Sequence, residues 1–171
     1  MKTNFKVLDT IKGDSLKRLK TWCQEQKNTM VRSSSTYVRG NRTEKWFDRQ
    51  WYLSQKVRVV DAPHDEYVSR LKEKYYPESH ACLMLCYQKG ASILNHRDHT
   101  ASKAKVIQIN IGCDVILSVD NQPYRIKDGD IICFNSKLLH SVSPAISERF
   151  VLSWREIKEE YLVASQQLNL F

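Results

Sequence analysis

Two histidines and one aspartate carry the most specific chemistry in this 171-residue chain. His96 and Asp98 lie in YQKGASILNHRD, residues 87–98, an apolar and strand-like setting. Side chains at i and i+2 of a strand project from one face. An imidazole and a carboxylate then stand side by side, each able to give one ligand to a divalent metal. His140, in LLHSVSP, is the third donor. Two histidines and one carboxylate on one face of an ion leave the opposite positions open, the arrangement that holds non-haem Fe(II) for O2 chemistry. HRD also opens the catalytic loop of protein kinases, but that loop needs a downstream Asn, a glycine-rich loop and DFG. Here the chain continues HRDHTASK and contains no DFG, so the kinase reading fails.

Three coordination positions remain. A 2-oxo acid can take two of them through its carboxylate and keto oxygen, and O2 the third. If the cosubstrate is a diacid, its far carboxylate needs a fork of donors, which arginine supplies. Arg149 follows His140 by nine residues, and Arg155 follows Arg149 by six. An even separation puts both arginines on one strand face. The same residues could be a satisfied pair of core histidines and a surface arginine. Their order, spacing and strand context favour the metal site.

The elements that must position these groups are legible from periodicity. Residues 14–27, DSLKRLKTWCQEQK, space Leu16, Leu19, Trp22 and Cys23 as one helical stripe, with Asp14 or Ser15 as the cap. Residues 63–75 form a second helix, with acidic residues in its first turn and Pro77 beyond its end. From residue 81 onward the pattern is β. ACLMLCY is continuously apolar, and Gly90 supplies the turn before ILNHRD. KVIQINIG alternates Ile107, Ile109 and Ile111 with Gln108 and Asn110, DNQP is a hairpin turn, and RFVLSWREI is the last strand. Short strands after two helices imply an α+β, mainly β fold: an antiparallel sandwich or barrel buttressed by two N-terminal helices.

Length and composition fit one domain over residues 1–171. No apolar run is long enough to span a membrane, and the N-terminus lacks the apolar stretch of a secretory signal. Cys23, Cys82, Cys86, Cys113 and Cys133 are scattered and mostly in apolar runs, which predicts reduced core thiols and a cytoplasmic monomer, not a disulfide framework or zinc site.

The net charge of +8 favours an acidic partner. Residues 31–60 concentrate it: seven Lys and Arg stand against Glu44 and Asp48, interleaved with Tyr37, Trp46, Phe47, Trp51 and Tyr52. Cations pair with phosphates and aromatic faces stack on bases. Arg39, Arg42, Trp46, Arg49 and Trp51 are therefore candidate substrate contacts. The same pattern fits a pair of edge strands with solvated charges and packed rings.

HxD…H…RxxxxxR resembles the 2-oxoglutarate/Fe(II)-dependent dioxygenases, and the second arginine resembles the AlkB-like nucleic-acid dealkylases among them. The similarity runs from about Pro63 to Glu156, including Tyr87 and Gly90 before His96 and GDIICFNSKLLHSV around His140. It implies a double-stranded β-helix (jelly-roll) barrel whose core spans 81–156, with 31–60 as a nucleotide-recognition lid. It implies Fe(II) on His96, Asp98 and His140, with O2 and 2-oxoglutarate as cosubstrates. Tyr87 would hydrogen-bond the 2-oxoglutarate, Arg149 would bind its distal carboxylate, and Ser153 and Arg155 would complete the cofactor site. Family members carry RxNxTxR in the last strand, where Val151 and Ser153 replace Asn and Thr here. Leu85 and Thr100 replace an Asn and an acidic residue used elsewhere in the family.

The implied activity is oxidative demethylation of alkylated DNA or RNA. The spacing of Arg149 from His140 and the nearby Trp154 also resemble prolyl-hydroxylase-type relatives, which implies a hydroxylase of a protein side chain or small molecule on the same barrel. A non-catalytic nucleic-acid-binding module is the third reading.

Overall fold

The computed structural model describes residues 4–53 and 57–162. In chain order the elements are β1 (Phe5–Thr10), α1 (Gly13–Gln26), β2 (Val31–Arg32), β3 (Val38–Arg39), β4 (Arg42–Phe47), β5 (Arg49–Leu53), β6 (Val57–Asp61) and α2 (Glu66–Tyr75). Then come β7 (Ala81–Tyr87), β8 (Ser92–His96), β9 (Ser102–Ile111), β10 (Val115–Val119), β11 (Gln122–Ile126), β12 (Asp130–Asn135), β13 (His140–Val142) and β14 (Arg149–Ile157). One sheet has the order β1-β12-β9-β14-β7-β4-β2, and a second has β11-β10-β13-β8-β3. The hairpin β5-β6 stands by itself.

The two larger sheets close on a shared core. Leu85, Val106, Ile132 and Val151 from the first meet Leu117 and Val119 from the second. The other face of the seven-stranded sheet is equally apolar. There Cys82, Met84, Ile107, Ile109, Leu152 and Trp154 pack with Leu19 and Cys23 of α1 and Val68 of α2. This explains why ACLMLCY reads as an unbroken apolar run: β7 is covered on both faces. The architecture is a double-stranded β-helix, mainly β, with two helices buttressing one sheet.

Local chemistry sets the element ends. Asp65 caps α2, its carboxylate accepting from the backbone N–H of Tyr67 and Val68. The expected cap of α1 does not form: the helix begins at Gly13, and the residue before it, Lys12, has no side-chain cap. Gly90 turns the chain between β7 and β8 with φ of 83°, a conformation that favours glycine. Asp120 and Asn121, at φ of 52° and 62°, form the hairpin turn between β10 and β11. The segment 31–60 is not one unit. Its β4 is integral to the larger sheet, paired with β7 along its length, while β5-β6 is the separate hairpin. Of the C-terminal tail, residues 163–171 lie outside the described residues. Among those described, no helix is long and apolar enough to cross a membrane.

All five cysteines are free thiols. Burial pushes the thiols of Cys23, Cys82 and Cys86 up, that of Cys86 to about 11. A thiol reagent at pH 7.5 is therefore expected to label Cys133, the one only partly buried, well before the others. Timed labelling followed by peptide mass spectrometry checks the order. Equal rates at Cys23 and Cys133 in native protein would contradict the packing of α1 on the sheet.

Candidate metal centre and its cavity

Strand register brings the histidines together. His140 on β13 is the cross-strand partner of His96 on β8, and their rings lie 4.2 Å apart between centroids. β8 ends at His96, so Asp98 stands in the following loop and not on the strand. That loop is pinned from the β12–β13 turn. Ser136 accepts from the Asp98 backbone N–H at 2.9 Å. Lys137 Nζ donates to the carbonyls of Asp98 and His99 and to Ser102 Oγ.

Each imidazole is fixed by its own backbone. His96 Nδ1 lies 2.8 Å from the Leu94 carbonyl oxygen, and His140 Nδ1 lies 2.9 Å from that of Leu138. A carbonyl can only accept, so each Nδ1 carries the proton and each Nε2 keeps its lone pair for a metal. The two Nε2 atoms lie 3.7 and 3.6 Å from Asp98 Oδ1. The ligand atoms of the three residues fall within 4.8 Å of one another, the one such cluster among the described residues. The donor set, two neutral imidazoles and one carboxylate, fits Fe(II).

Asp98 Oδ2 faces away from the histidines and accepts from Arg155 Nε at 3.1 Å and Nη2 at 2.9 Å. Burial alone would raise the Asp98 carboxyl. The Arg155 guanidinium outweighs it and holds the group well below the usual carboxylate range. Burial lowers the His96 imidazole, and the neighbouring His140 adds to this. Both effects favour an ionised aspartate beside a neutral His96, the protonation state a metal requires of these two donors.

The cluster opens on a cavity of about 890 Å³ between the two large sheets, whose walls include Arg42, Trp46, Tyr87, Gln108, Arg149 and Arg155. Arg149 is buried, 4% exposed, and its Nε donates to Asn110 Oδ1 at 2.5 Å. Burial lowers its guanidinium, with Tyr87 opposing. No carboxylate pairs with it among the described residues, so a buried cation faces the cavity without a counter-ion. Asn110 is fixed in turn, its amide donating to the carbonyls of Cys113 and Lys127.

The other residues singled out from the sequence divide. Tyr87, Arg155, Trp46 and Trp51 line the cavity. Trp46 and Trp51 touch at 4.5 Å between ring centroids. Ser153 is fully buried and not on the wall; its Oγ accepts from Arg155 Nη1 at 2.6 Å and Gln108 Nε2 at 3.1 Å. It positions Arg155. Arg42 lines the cavity but is buried, hydrogen-bonded to Tyr87 and Ser33. Arg39 is exposed off the cavity, its guanidinium spent on the carbonyls of Thr36 and Val38. Arg49 pairs with Asp61, its cross-strand partner in the hairpin, and lines a separate cavity of about 440 Å³. Asn110, Gln108 and Tyr37 stand out in the sequence only as strand and aromatic residues, not as site candidates. Tyr37 stacks on His96 at 5.3 Å.

No family model matches the sequence, and no curated protein matches it. The fold has many solved counterparts. The protein described as OsALKBH1 superposes with a TM-score of 0.66 at 13% identity, over 91% of this chain and 98% of that one. A prolyl hydroxylase from Trichoplax adhaerens, in complex with a hypoxia inducible factor peptide fragment, gives 0.69 at 14% identity, over 96% and 89%. An oxidoreductase of the 2OG-Fe(II) oxygenase family from Burkholderia pseudomallei gives 0.59 at 14%, over 90% and 84%. The chain thus has the fold of 2-oxoglutarate/Fe(II) oxygenases. At these identities the likeness is one of fold, and the three neighbours divide between an AlkB homologue, a peptide hydroxylase and an oxidoreductase whose substrate its description does not give.

Proposed function

We propose that this protein is an Fe(II)- and 2-oxoglutarate-dependent dioxygenase that demethylates alkylated DNA or RNA. The observation that carries the oxygenase reading is the convergence of two backbone-locked Nε2 atoms on Asp98 Oδ1, in a cavity whose wall holds an unpaired, buried Arg149. His96, Asp98 and His140 would hold the iron. When bound, the iron and 2-oxoglutarate draw oxidising power from O2, with release of CO2 and succinate. Arg149 and Tyr87 orient the cosubstrate through its far carboxylate, and Arg155 fixes the Asp98 rotamer. The apolar core around them excludes water. Hydroxylation of an N-methyl group leaves a product that sheds formaldehyde, which is demethylation.

The nucleic-acid reading is supported by what lies at the cavity wall: the Trp46–Trp51 pair and Tyr52 as stacking faces, and exposed Arg32 and Arg97 as phosphate partners. Methylated single strands are expected to stimulate succinate release. Their affinity should fall about tenfold or more between roughly 50 and 200 mM salt, and Trp46→Ala should weaken it by about 1–3 kcal/mol. Oligonucleotides that neither stimulate turnover nor bind in a salt-dependent way would refute this substrate.

One observation favours a second reading, a hydroxylase of a protein side chain or small molecule. Tyr37 covers a face of the His96 ring, so a flat base stacking there must displace it. Peptides, but no oligonucleotide, stimulating succinate release would decide for it.

A further inference from the structure

Arg42, Tyr87 and Arg149 stand abreast on β4, β7 and β14. Tyr87 is the registered partner of Arg42 on one side and of Arg149 on the other. Both guanidiniums lie over the one phenol ring, at 5.4 and 5.0 Å from its centroid. Arg42 Nη1 donates to the Tyr87 hydroxyl at 3.0 Å. Both arginines are buried and both line the cavity.

Two like charges held together out of water are costly unless an anion joins them. The nearest carboxylate, Glu44, stands 3.6 Å from Arg42 Nη2, outside hydrogen-bonding distance. The Arg42 Nε is buried without a partner. Structure alone does not account for this arginine: its second hydrogen-bond acceptor is only Ser33 Oγ, and its charge is incompletely balanced. The positive surplus sits beside Arg149, six residues along β14 from the Arg155 that holds Asp98.

We propose that Arg42 is a second anion-binding residue of the cosubstrate site, holding the far carboxylate of 2-oxoglutarate together with Arg149 and Tyr87 and making the site selective for a 2-oxo diacid over a 2-oxo monoacid. This rests on the oxygenase reading above. A carboxylate has about four acceptor positions, more than one arginine fills. Arg42 Nη1 keeps a second hydrogen after donating to Tyr87. The Tyr87 hydroxyl, accepting from Arg42, keeps its own hydrogen to donate. Glu44 is the carboxylate that the cosubstrate replaces as the main counter-ion of Arg42.

The test is anaerobic calorimetry of the full chain loaded with Fe(II). The titrants are 2-oxoglutarate and 2-oxopentanoate, which has the same carbon chain without the far carboxylate. Wild type is expected to prefer the diacid about 100-fold or more. Arg42→Met should cut that preference about tenfold or more while leaving the affinity for the monoacid unchanged, and Arg42→Lys should keep part of it. Glu44→Gln removes the competing carboxylate and should tighten 2-oxoglutarate about two- to fivefold; if Arg42→Met does not fold, this variant and Arg42→Lys carry the test. A diacid preference unchanged in the Arg42 variants, or a 2-oxoglutarate affinity unchanged in Glu44→Gln, overturns the role of Arg42 alone. Wild type that binds Fe(II) but neither 2-oxo acid overturns the cosubstrate reading itself.

Discussion

Asp98→Ala is expected to abolish turnover, lower Fe(II) affinity by more than about 100-fold and lower stability as well. Groups that merely orient metal ligands are worth roughly 10–100-fold in affinity, and Asp98 would itself be a ligand. The stability loss has a separate origin. Arg155 is 7% exposed, and Asp98 Oδ2 accepts from two of its nitrogens. Without the carboxylate, a buried guanidinium is left with Ser153 Oγ alone, a change that costs about 3–5 kcal/mol. His96→Ala should also abolish iron binding, but it strands no charge and should cost less stability. Iron titration with denaturant melts of the metal-free proteins separates the two effects. Unaltered iron binding in Asp98→Ala would sink every enzymatic reading and leave a non-catalytic binding module.

Arg149→Met should behave in the opposite way: severe loss of 2-oxoglutarate binding, about 100-fold or more, in a protein no less stable than wild type when metal-free. Charge-assisted, bidentate recognition of a carboxylate is among the stronger polar interactions, and a thioether supplies none of it. The stability side is a balance. A buried cation with no carboxylate partner costs several kcal/mol, which methionine relieves while filling similar volume. Against this, Asn110 Oδ1 loses its partner, at about 1–3 kcal/mol. Iron affinity should stay near wild type, since Arg149 touches none of the three ligands. A variant that binds 2-oxoglutarate normally would show that the cavity takes another molecule.

The His96–Asp98 half of the cluster is legible in the chain because its logic is local, whereas His140 joins it only through the pairing of β13 with β8. HxD keeps two donors close, although Asp98 stands in the loop beyond β8 and not on the strand, and parity alone places Arg149 and Arg155 on one face of β14. Both indeed lie on the inner face of the sheet, and both are buried. Arg42 was harder. A cation in a charged, aromatic segment reads as a surface residue, and only the pairing of β4 with β7 puts it beside Tyr87. Arg49 lies away from the large cavity, because its partner Asp61 is a register neighbour twelve residues on. Asn110 belongs to the polar side of an alternating strand. That side faces the interior because α1 and α2 cover the apolar side, a choice made by topology and not by the strand's own residues. The first strand went unnoticed because β1 is an edge strand whose central four residues are all exposed, leaving little periodicity to detect.

The Trp46–Trp51 contact has one more use. Trp46 belongs to the large sheet and Trp51 to the hairpin, so their 4.5 Å separation spans the joint between the two. Two indoles in contact have an optical signature that neither has alone. The other two tryptophans, Trp22 and Trp154, are packed in the outer core and supply a steady background. A change in that signature on adding a ligand would report a shift of the hairpin against the sheet.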